Sequence, residues 1–292
     1  MVSLGALRAT LGEGPIWDDR RQLLWMVDID ECRIHAVNPA DGATQTWQLD
    51  QPAGAIALTD GPELLLAVRD GFAAFSRESG VVRLLVAIRH AAPADRFNDG
   101  ACDRRGRFWA GSISAARAPV ARLYRLDRDL RVSPQLDDVT VSNGVGWSPD
   151  DRWMYYVDTP TRRIDKFEFD LETGTLGRRT VHIDLQSYAG KPDGLVVDAE
   201  GVIWVAMWGG GTVLRVAPDG RLCGQLDVPV PHPTKAAFGG PALRDLFITT
   251  ASAPLSPQER LQYPDAGAVF VCRPDSTGQP CPSFAALNFL AG

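Results

Sequence analysis

Four short segments place polar side chains beside glycine at the edge of an apolar or aromatic run. They are GEGPIW with Glu13, RFNDG with Arg96, Asn98 and Asp99, SNG with Asn143, and KPDG with Asp193. Carboxylate and carboxamide oxygens are hard ligands, so this set suits Ca²⁺, Mg²⁺ or Mn²⁺ better than a metal that prefers sulfur. Asn-Gly and Asp-Gly are also common hairpin turns, and any one segment alone is better explained as a turn. The set indicates a cation site only if the fold brings its members together.

Other common catalytic patterns are missing from the sequence. It has no GxSxG elbow for a serine nucleophile, no GxxxxGK[ST] loop and no GxGxxG motif between a strand and a helix. Cys102 lies near Asn98, but no histidine neighbours it to activate a thiolate. The histidines lack HxH or HxxxH spacing, which argues against a histidine zinc site; they are His35, His90, His182 and His232.

The composition is that of a folded protein with an acidic balance. Of 292 residues, 45% are hydrophobic and 23% charged, and 36 acids against 30 bases give a net charge of −6. This balance, without a Lys/Arg-rich run, argues against a nucleic-acid partner and against an anionic membrane partner. The first residues lack a signal-like pattern and no apolar run approaches ~18 residues, so we expect a cytoplasmic protein.

The five cysteines form no CxxC pair and are odd in number. This pattern suits a reducing compartment and argues against a thiolate metal site. Inert thiols are therefore expected, and a Cys272–Cys281 bond in an oxidising compartment is the alternative.

The elements that must position the polar side chains repeat along the chain. Six units occur, each with an Asp/Gly-rich turn, a short apolar strand, a loop and a second strand. When the short apolar strand is taken as the first strand of each unit, the units align on Leu24, Leu65, Phe108, Met154, Ile203 and Leu246, with spacings of 41, 43, 46, 49 and 43 residues. These spacings match propeller blades, each a four-stranded sheet packed between two neighbours. The sequence therefore predicts an all-β, six-bladed β-propeller as a single domain over residues 1–292.

The propeller prediction has local consequences. The first strands of the blades line a central channel, so residues at equivalent ends of different repeats should converge there. We expect ALRATLGEG, residues 6–14, to complete a blade made by the other end of the chain. SPQERLQYPD, residues 256–265, is the best candidate for a helical turn, and the scarcity of helical periodicity disfavours an eight-stranded barrel with crossover helices.

Five segments together resemble one known family. They are LGEGPIWD, RFNDGACDRRGRFWAGSI, SNGVGWSPDDRWMYYVDT, KPDGLVVDAEGVIWVAMWGG and FGGPALRDLFITTAS. In these motifs and their order the chain resembles the SMP-30/gluconolactonase/LRE family. The resemblance implies a six-bladed propeller that binds a divalent metal in its channel and commonly hydrolyses sugar lactones.

The resemblance also implies a metal site. By motif position, Glu13 in GEGP, Asn143 in SNG and Asp193 in PDG would hold one divalent metal ion. Asp193 would also be the catalytic residue that takes a proton from the attacking water. Calcium is the favoured ion, with Zn²⁺, Mn²⁺, Mg²⁺ and Fe²⁺ as alternatives, because oxygen ligands plus waters can host each of them.

The same motifs imply a substrate pocket beside the metal. Arg96 and Asn98 in RFNDG would hold the hydroxyl groups of the substrate, with Asn98 near the metal as well. Trp208 in AMWGG would form a wall of the pocket, or would pack between blades. Asp99 is expected to be a turn residue.

One loop departs from the family pattern. Several members carry an acid shortly after a G-[ST]-M segment, and it helps to bind the sugar, whereas this chain has GSISAARAP there. The identity of the substrate is therefore open. Arg117 in this loop would favour an anionic or differently hydroxylated lactone, or would be a solvated side chain.

The resulting hypothesis is metal-dependent hydrolysis of a sugar lactone to the aldonic acid. We expect a monomer whose partner is the small-molecule lactone. Two alternatives stay open, since a fold does not fix a function. One is a promiscuous esterase or organophosphate hydrolase on the same metal site, and the other is a non-catalytic calcium-binding propeller.

Overall fold

The computed structural model describes residues 1–285, and the regular secondary structure of this part of the chain is almost entirely β-strand. Twenty-four strands form six antiparallel sheets of four strands each. The chain begins with β1 (Val2–Leu4). Blade 1 then consists of β2 (Gly12–Asp18), β3 (Leu23–Asp28), β4 (Arg33–Val37) and β5 (Thr44–Gln48). Blade 2 consists of β6 (Ala53–Leu58), β7 (Leu64–Val68), β8 (Gly71–Phe75) and β9 (Val82–Ala87). Blade 3 consists of β10 (Arg96–Cys102), β11 (Phe108–Ile113), β12 (Ala121–Leu126) and β13 (Val132–Val139).

The remaining three blades follow the same plan. Blade 4 consists of β14 (Ser142–Trp147), β15 (Trp153–Asp158), β16 (Arg163–Asp170) and β17 (Thr175–Asp184). Blade 5 consists of β18 (Lys191–Val197), β19 (Ile203–Trp208), β20 (Thr212–Val216) and β21 (Leu222–Asp227). Blade 6 consists of β22 (Pro233–Gly239), β23 (Asp245–Thr250), β24 (Val269–Cys272) and β1. The helical elements are α1 (Pro257–Gln262), which confirms the expected helical turn, and the 3₁₀ turns Thr159–Thr161 and Pro241–Leu243.

The six inner strands form a closed ring around a central channel. Each inner strand contacts the inner strands of both neighbouring blades, and β2 lies beside β22 where the ring closes. This arrangement confirms the six-bladed propeller. The single-domain prediction also includes residues 286–292, which lie outside the described residues.

The amino-terminal segment completes blade 6, but not with the residues expected. β1 pairs with β24, from Val2 opposite Val271 to Leu4 opposite Val269. The expected segment 6–14 was wrong because its last residues already belong to inner strand β2, at the opposite edge of a blade. Within that segment Leu11 forms only an isolated bridge to Ala251.

The alignment of repeats was shifted by one strand. The six aligned positions lie in β3, β7, β11, β15, β19 and β23, each the second strand of its blade. Second strands pack against neighbouring blades on both faces, so they carry the strongest apolar signal. The channel is lined by the preceding strands, which contain the glycine-flanked polar residues.

The hydrophobic core consists of six clusters, one between each pair of adjacent blades. Trp25 and Phe75 belong to the cluster between blades 1 and 2. Trp204 and Phe238 meet edge to face between blades 5 and 6, with ring centroids 5.7 Å apart. Burial of aromatic and branched side chains on both faces of each blade holds the ring together.

A repeated Asp-x-x-Gly-x-x-Trp pattern forms the hairpin turns of two blades. In blade 3, Asp103 accepts hydrogen bonds from the backbone of its own turn and from Trp109 Nε1 at 2.9 Å. In blade 5, Asp198 accepts the matching bonds, including one from Trp204 Nε1 at 2.9 Å. One carboxylate therefore fixes both the turn and the indole that packs between blades.

The segment after β24 covers one end of the channel. Gly278 forms a bridge to Asp198 and Phe284 forms one to Thr59, on different blades. Gln279 donates to the carbonyl oxygens of Val197 and Asp198. A small cavity of 140 Å³ remains between this segment and the inner strands. This is the end of the channel opposite the glycine-flanked acids.

Candidate active site

A cavity of 860 Å³ opens at the other end of the channel, where the inner strands begin. Four buried polar side chains from four different blades line it: Glu13, Asn98, Asn143 and Asp193. Each belongs to the first three residues of its inner strand. The propeller therefore brings together residues that are far apart in sequence, as expected for equivalent ends of repeats in a propeller.

The ladder between the first and second strands shifts register at all four positions. In blade 1 the shift lies between Glu13 and Ile16, and in blade 5 between Pro192 and Leu195. An irregularity of this kind bends a strand and re-aims a side chain out of simple alternation. The Asn-Gly and Asp-Gly pairs are thus not hairpin turns here but irregular starts of strands.

Glycine is required beside the two acids for different reasons. Gly14 follows Glu13 and has φ +56°, a conformation that L side chains adopt only with strain. Gly194 follows Asp193, and a Cβ there would lie 2.5 Å from Cβ of Lys235 and 2.8 Å from the carbonyl oxygen of Thr234. The first glycine permits the turn of the backbone, and the second permits close approach of the neighbouring inner strand.

The two asparagines are oriented by a connected set of hydrogen bonds. Arg96 donates to Oδ1 of Asn98 at 2.8 Å. Asn98 Nδ2 donates to the Ser142 carbonyl at 2.9 Å and to Oδ1 of Asn143 at 3.1 Å. The side chains of blades 3 and 4 are therefore fixed relative to each other, and Oδ1 of Asn143 is held at the cavity.

Thr159 is a residue that the sequence analysis missed. Its Oγ1 accepts a hydrogen bond from Nδ2 of Asn143 at 2.8 Å and donates to the Pro192 carbonyl at 2.9 Å. This contact fixes which end of the Asn143 amide faces the cavity and ties blade 4 to the residue before Asp193. The only sequence signal is its place directly after the second strand of blade 4.

The buried acids repel one another. Burial, followed by the charge of Asp99, raises the pKa of Glu13 to about 8, although Lys235 opposes this shift. Burial, followed by the charges of Glu13 and Asp99, also raises the pKa of Asp193 well above its usual range. Carboxylates that are desolvated and close together favour a positive charge between them.

Asp99 was expected in a turn, and this was wrong. It lies inside β10, is 1% exposed, and accepts a hydrogen bond at 2.5 Å from the ammonium of Lys235, itself 6% exposed. The register shift after Phe97 points Asp99 into the channel. Lys235 also lines the small cavity at the far end, so the ion pair lies between the two cavities.

The wide cavity has further polar and aromatic lining residues. Trp208 lines it and also packs against His232, with ring centroids 4.8 Å apart, so both of its expected roles are compatible with its position. The charged side chains of Asp30, Arg96, Arg117 and Lys191 complete the polar lining.

The donor set fits a hard divalent cation. Among residues 1–285, no group of three or more His, Cys, Asp or Glu side chains is arranged to hold a metal. A cation at this cavity would therefore need carboxamide oxygen in addition to the two carboxylates, and Asn143 supplies it. Such an oxygen-only set is typical of Ca²⁺, Mg²⁺ or Mn²⁺ sites.

The chain matches a known family model, described as the SMP-30/Gluconolactonase/LRE-like region, over residues 11–252. The chain belongs to this family. Proteins similar to this chain include a sugar lactonase and regucalcins, one of them a solved structure of a calcium-binding protein. The family membership predicted from the motifs is thereby confirmed.

Relatives within the family cover nearly the whole chain. The 6-deoxy-6-sulfogluconolactonase of Pseudomonas putida is 36% identical over 282 residues, which are 95% of this chain and 96% of that protein. Regucalcin of Gallus gallus is 32% identical over 274 residues, 91% of this chain and 92% of that protein. A crystal structure of the calcium-binding protein regucalcin from Agrobacterium tumefaciens is 30% identical, covers 97% of this chain and 96% of its own, and has a TM-score of 0.93.

The residues to which the sequence analysis gave a role in metal binding, catalysis or substrate binding all line one cavity in this family member. They are Glu13, Arg96, Asn98, Asn143, Asp193 and Trp208. Their roles in metal binding, catalysis and substrate binding stay predictions. Besides Thr159, the sequence analysis missed the contributions of Asp30, Lys191 and Lys235. Asp30 and Lys235 lie outside the quoted motifs, and Lys191 was quoted only as part of KPDG, with no role of its own.

Two further expectations concern the cysteines and membranes. All five cysteines are free, so Cys272 and Cys281 are not bonded to each other. Within the described residues, no helix has the length and apolar character needed to span a membrane.

Proposed function

We propose that this protein hydrolyses a sugar lactone to the aldonic acid with the help of one divalent cation. The observation that carries the proposal is the convergence of two buried carboxylates and two oriented carboxamides, from four blades, in one open cavity. Relatives of 36% and 32% identity that are named 6-deoxy-6-sulfogluconolactonase and regucalcin support it.

Glu13, Asn143 and Asp193 would hold the cation, and Ca²⁺ is favoured. When bound, a divalent cation supplies a positive charge that polarises a carbonyl group and stabilises a developing oxyanion. Thr159 and Asn98 keep the Asn143 amide in place through its nitrogen and its oxygen. A preorganised donor set of this kind spends little free energy on reorganisation when substrate binds.

Asp193 would also move the proton, and the remaining lining residues would bind the substrate. The Asp193 carboxylate takes a proton from water as the water oxygen attacks the lactone carbonyl carbon. The ring C–O bond then breaks, and the ring oxygen takes up the proton held by Asp193 to become a hydroxyl group, which regenerates the carboxylate. Arg96 and the Asn98 amide would contact the sugar hydroxyls, and Trp208 would cover an apolar face of the ring.

The test combines metal restoration with a lactone panel. Protein is stripped with a chelator, and each of Ca²⁺, Zn²⁺, Mn²⁺, Mg²⁺ and Fe²⁺ is restored in turn. Glucono-, galactono-, xylono- and arabinono-lactones are then assayed for release of acid. We expect hydrolysis that is lost on chelation and regained with at least one ion.

Asp193→Ala is the decisive variant. Loss of a general base typically lowers kcat by about 10²–10⁴-fold, and the variant should do so while it remains folded by circular dichroism. Asp219→Ala, which removes an exposed acid from a hairpin of the same blade, is the matched control. Lactone turnover near the wild-type value in Asp193→Ala would refute the catalytic assignment.

The same preparation separates the two alternative functions. Faster turnover of aryl esters or phosphotriesters than of any lactone would support the promiscuous hydrolase. Metal binding without turnover of any of these compounds would support the non-catalytic calcium-binding propeller.

A further inference from the structure

The charges of the wide cavity are separated by depth. Its acids Glu13 and Asp193 are buried in the channel, at 3% and 5% exposure. Two of its cations, Arg117 and Lys191, are exposed and so lie at the rim. A molecule that enters the cavity therefore passes the cations before it reaches the acids.

The rim cations are not neutralised by the protein. Within residues 1–285, neither Arg117 nor Lys191 has an ion pair or a side-chain hydrogen bond, and Asp30 is the one exposed acid that lines the cavity with them. The exposed rim thus has two positive charges and one negative charge, a net charge of +1, whereas Arg96 lies deeper, on Oδ1 of Asn98. Because the whole chain has a net charge of −6, this local excess of positive charge is opposite to the overall balance.

Both rim cations project from well-defined backbone. Arg117 lies in the loop between β11 and β12 and has φ +55°, which is uncommon for a residue with a side chain. Its amide donates to the Ser114 carbonyl at 2.9 Å, and the amide of Ala115 donates to buried Asp95 at 2.9 Å. Lys191 is the first residue of β18, two residues before Asp193. The loop and the strand therefore aim both side chains at the entrance.

We propose that the natural lactone carries an anionic substituent, such as a phosphate, sulfonate or carboxylate, on the part of the sugar remote from the reacting carbonyl, and that Arg117 and Lys191 bind it. The inference rests on the proposed lactone hydrolysis and names its substrate class. Guanidinium groups bind such tetrahedral or planar oxyanions through paired hydrogen bonds, and an ammonium adds a point charge. A cationic rim also draws an anion toward the channel and raises its association rate.

The test compares lactones that differ in charge at C6. Glucono-1,5-lactone, 6-phosphoglucono-1,5-lactone and the 6-deoxy-6-sulfonate analogue are assayed with the metal-loaded enzyme, correcting for spontaneous hydrolysis. We expect kcat/KM to be at least about tenfold higher for an anionic lactone than for glucono-1,5-lactone, mainly through a lower KM. Comparison of the phosphate with the sulfonate compound identifies the preferred anion. Raising salt from about 20 to about 200 mM should reduce this preference, since exposed charges are screened.

Two variants assign the preference to the rim. Arg117→Gln and Lys191→Gln should each lower the anionic-to-neutral ratio of kcat/KM by roughly three- to tenfold, as expected for loss of one partly exposed charge contact. Calorimetry should show the same ratio change in binding of the products 6-phosphogluconate and gluconate. Arg244→Gln removes an exposed arginine from the turn after β22, at the far end of the channel, and should leave the ratio unchanged.

The outcomes separate this inference from the proposed function. Lactone hydrolysis without a preference for the anionic compounds, or a ratio unaffected by both rim variants, overturns the inference and leaves the proposed function standing. Failure to hydrolyse any lactone overturns the proposed function and the inference with it.

Discussion

Replacement of Lys235 by methionine tests the electrostatic organisation of the channel. The Lys235 ammonium donates to Oδ1 of Asp99 at 2.5 Å and to the Gly100 carbonyl at 3.2 Å. Oδ2 of Asp99 has no hydrogen-bond partner among the described residues. Methionine keeps most of the side-chain volume but leaves Asp99 buried without its counter-charge, beside Glu13 and Asp193.

The expected loss follows from the cost of an unpaired buried charge. Removing one partner of a buried ion pair costs about 3–5 kcal/mol. For 292 residues the entropy of unfolding is about 0.6 kcal/mol/K, so Tm should fall by about 5–8 °C. Asp99→Asn should cost less, because Lys235 retains the attraction of the two other acids and the repulsion on them is relieved.

The assay is thermal unfolding of chelated protein for the wild type, both single variants and the double variant. The double variant should be more stable than Lys235→Met, because the unpaired charge is gone, and the two effects should therefore be non-additive. Saturating Ca²⁺ should stabilise Lys235→Met more than the wild type, since its channel has one more uncompensated negative charge. A Lys235→Met Tm within about 1 °C of the wild type, or equal losses in the two single variants, would refute this account.

Two further predictions concern the inner strands. Because burial and Asp99 raise the pKa of Glu13 to about 8, the folded metal-free protein keeps a proton between about pH 4.5 and 8 that the unfolded chain has lost. Its free energy of unfolding should therefore fall as pH rises across this window, by at most about 5 kcal/mol. Measured by urea unfolding, this pH dependence should be flatter in Glu13→Gln. A free energy that rises with pH in chelated protein would contradict the assignment. Gly194→Ala should destabilise the fold by about 1–3 kcal/mol in thermal unfolding, because its Cβ would lie 2.5 Å from Lys235. The control is Gly177→Ala, in an outer strand beside the exposed side chain of Glu168, and it should cost less in the same assay. Equal losses in the two glycine variants would show that close approach at Gly194 is not the constraint.

The candidate site was predictable to the extent that local sequence marks it. Glu13, Asn143 and Asp193 each precede a glycine, because an irregular strand start needs a small residue there, and that pairing is visible in the sequence. Lys235 has no such mark, since its importance depends on reaching a carboxylate 136 residues away. Asp99 was assigned to a turn because an acid followed by glycine occurs both in turns and in irregular strands.

The sequence by itself determined the class of fold and its number of blades. Alternating strands, Asp/Gly turns and apolar second strands recur six times, and each is a local consequence of backbone and side-chain preference. The assignment of the first strand in each blade was wrong by one strand, because apolar strength marks the strand packed between blades and not the one that lines the channel.

Only the tertiary structure decided which side chains meet and with what charge. Ring closure by Val2–Leu4, the Lys235–Asp99 pair and the cationic rim all join residues from distant parts of the chain. Their relative positions depend on the twist and spacing of the blades, which fix distances of a few ångströms that no local pattern encodes. The acids were visible in the sequence, whereas the burial and mutual repulsion that suit them to a cation arise only when the six inner strands close into a ring.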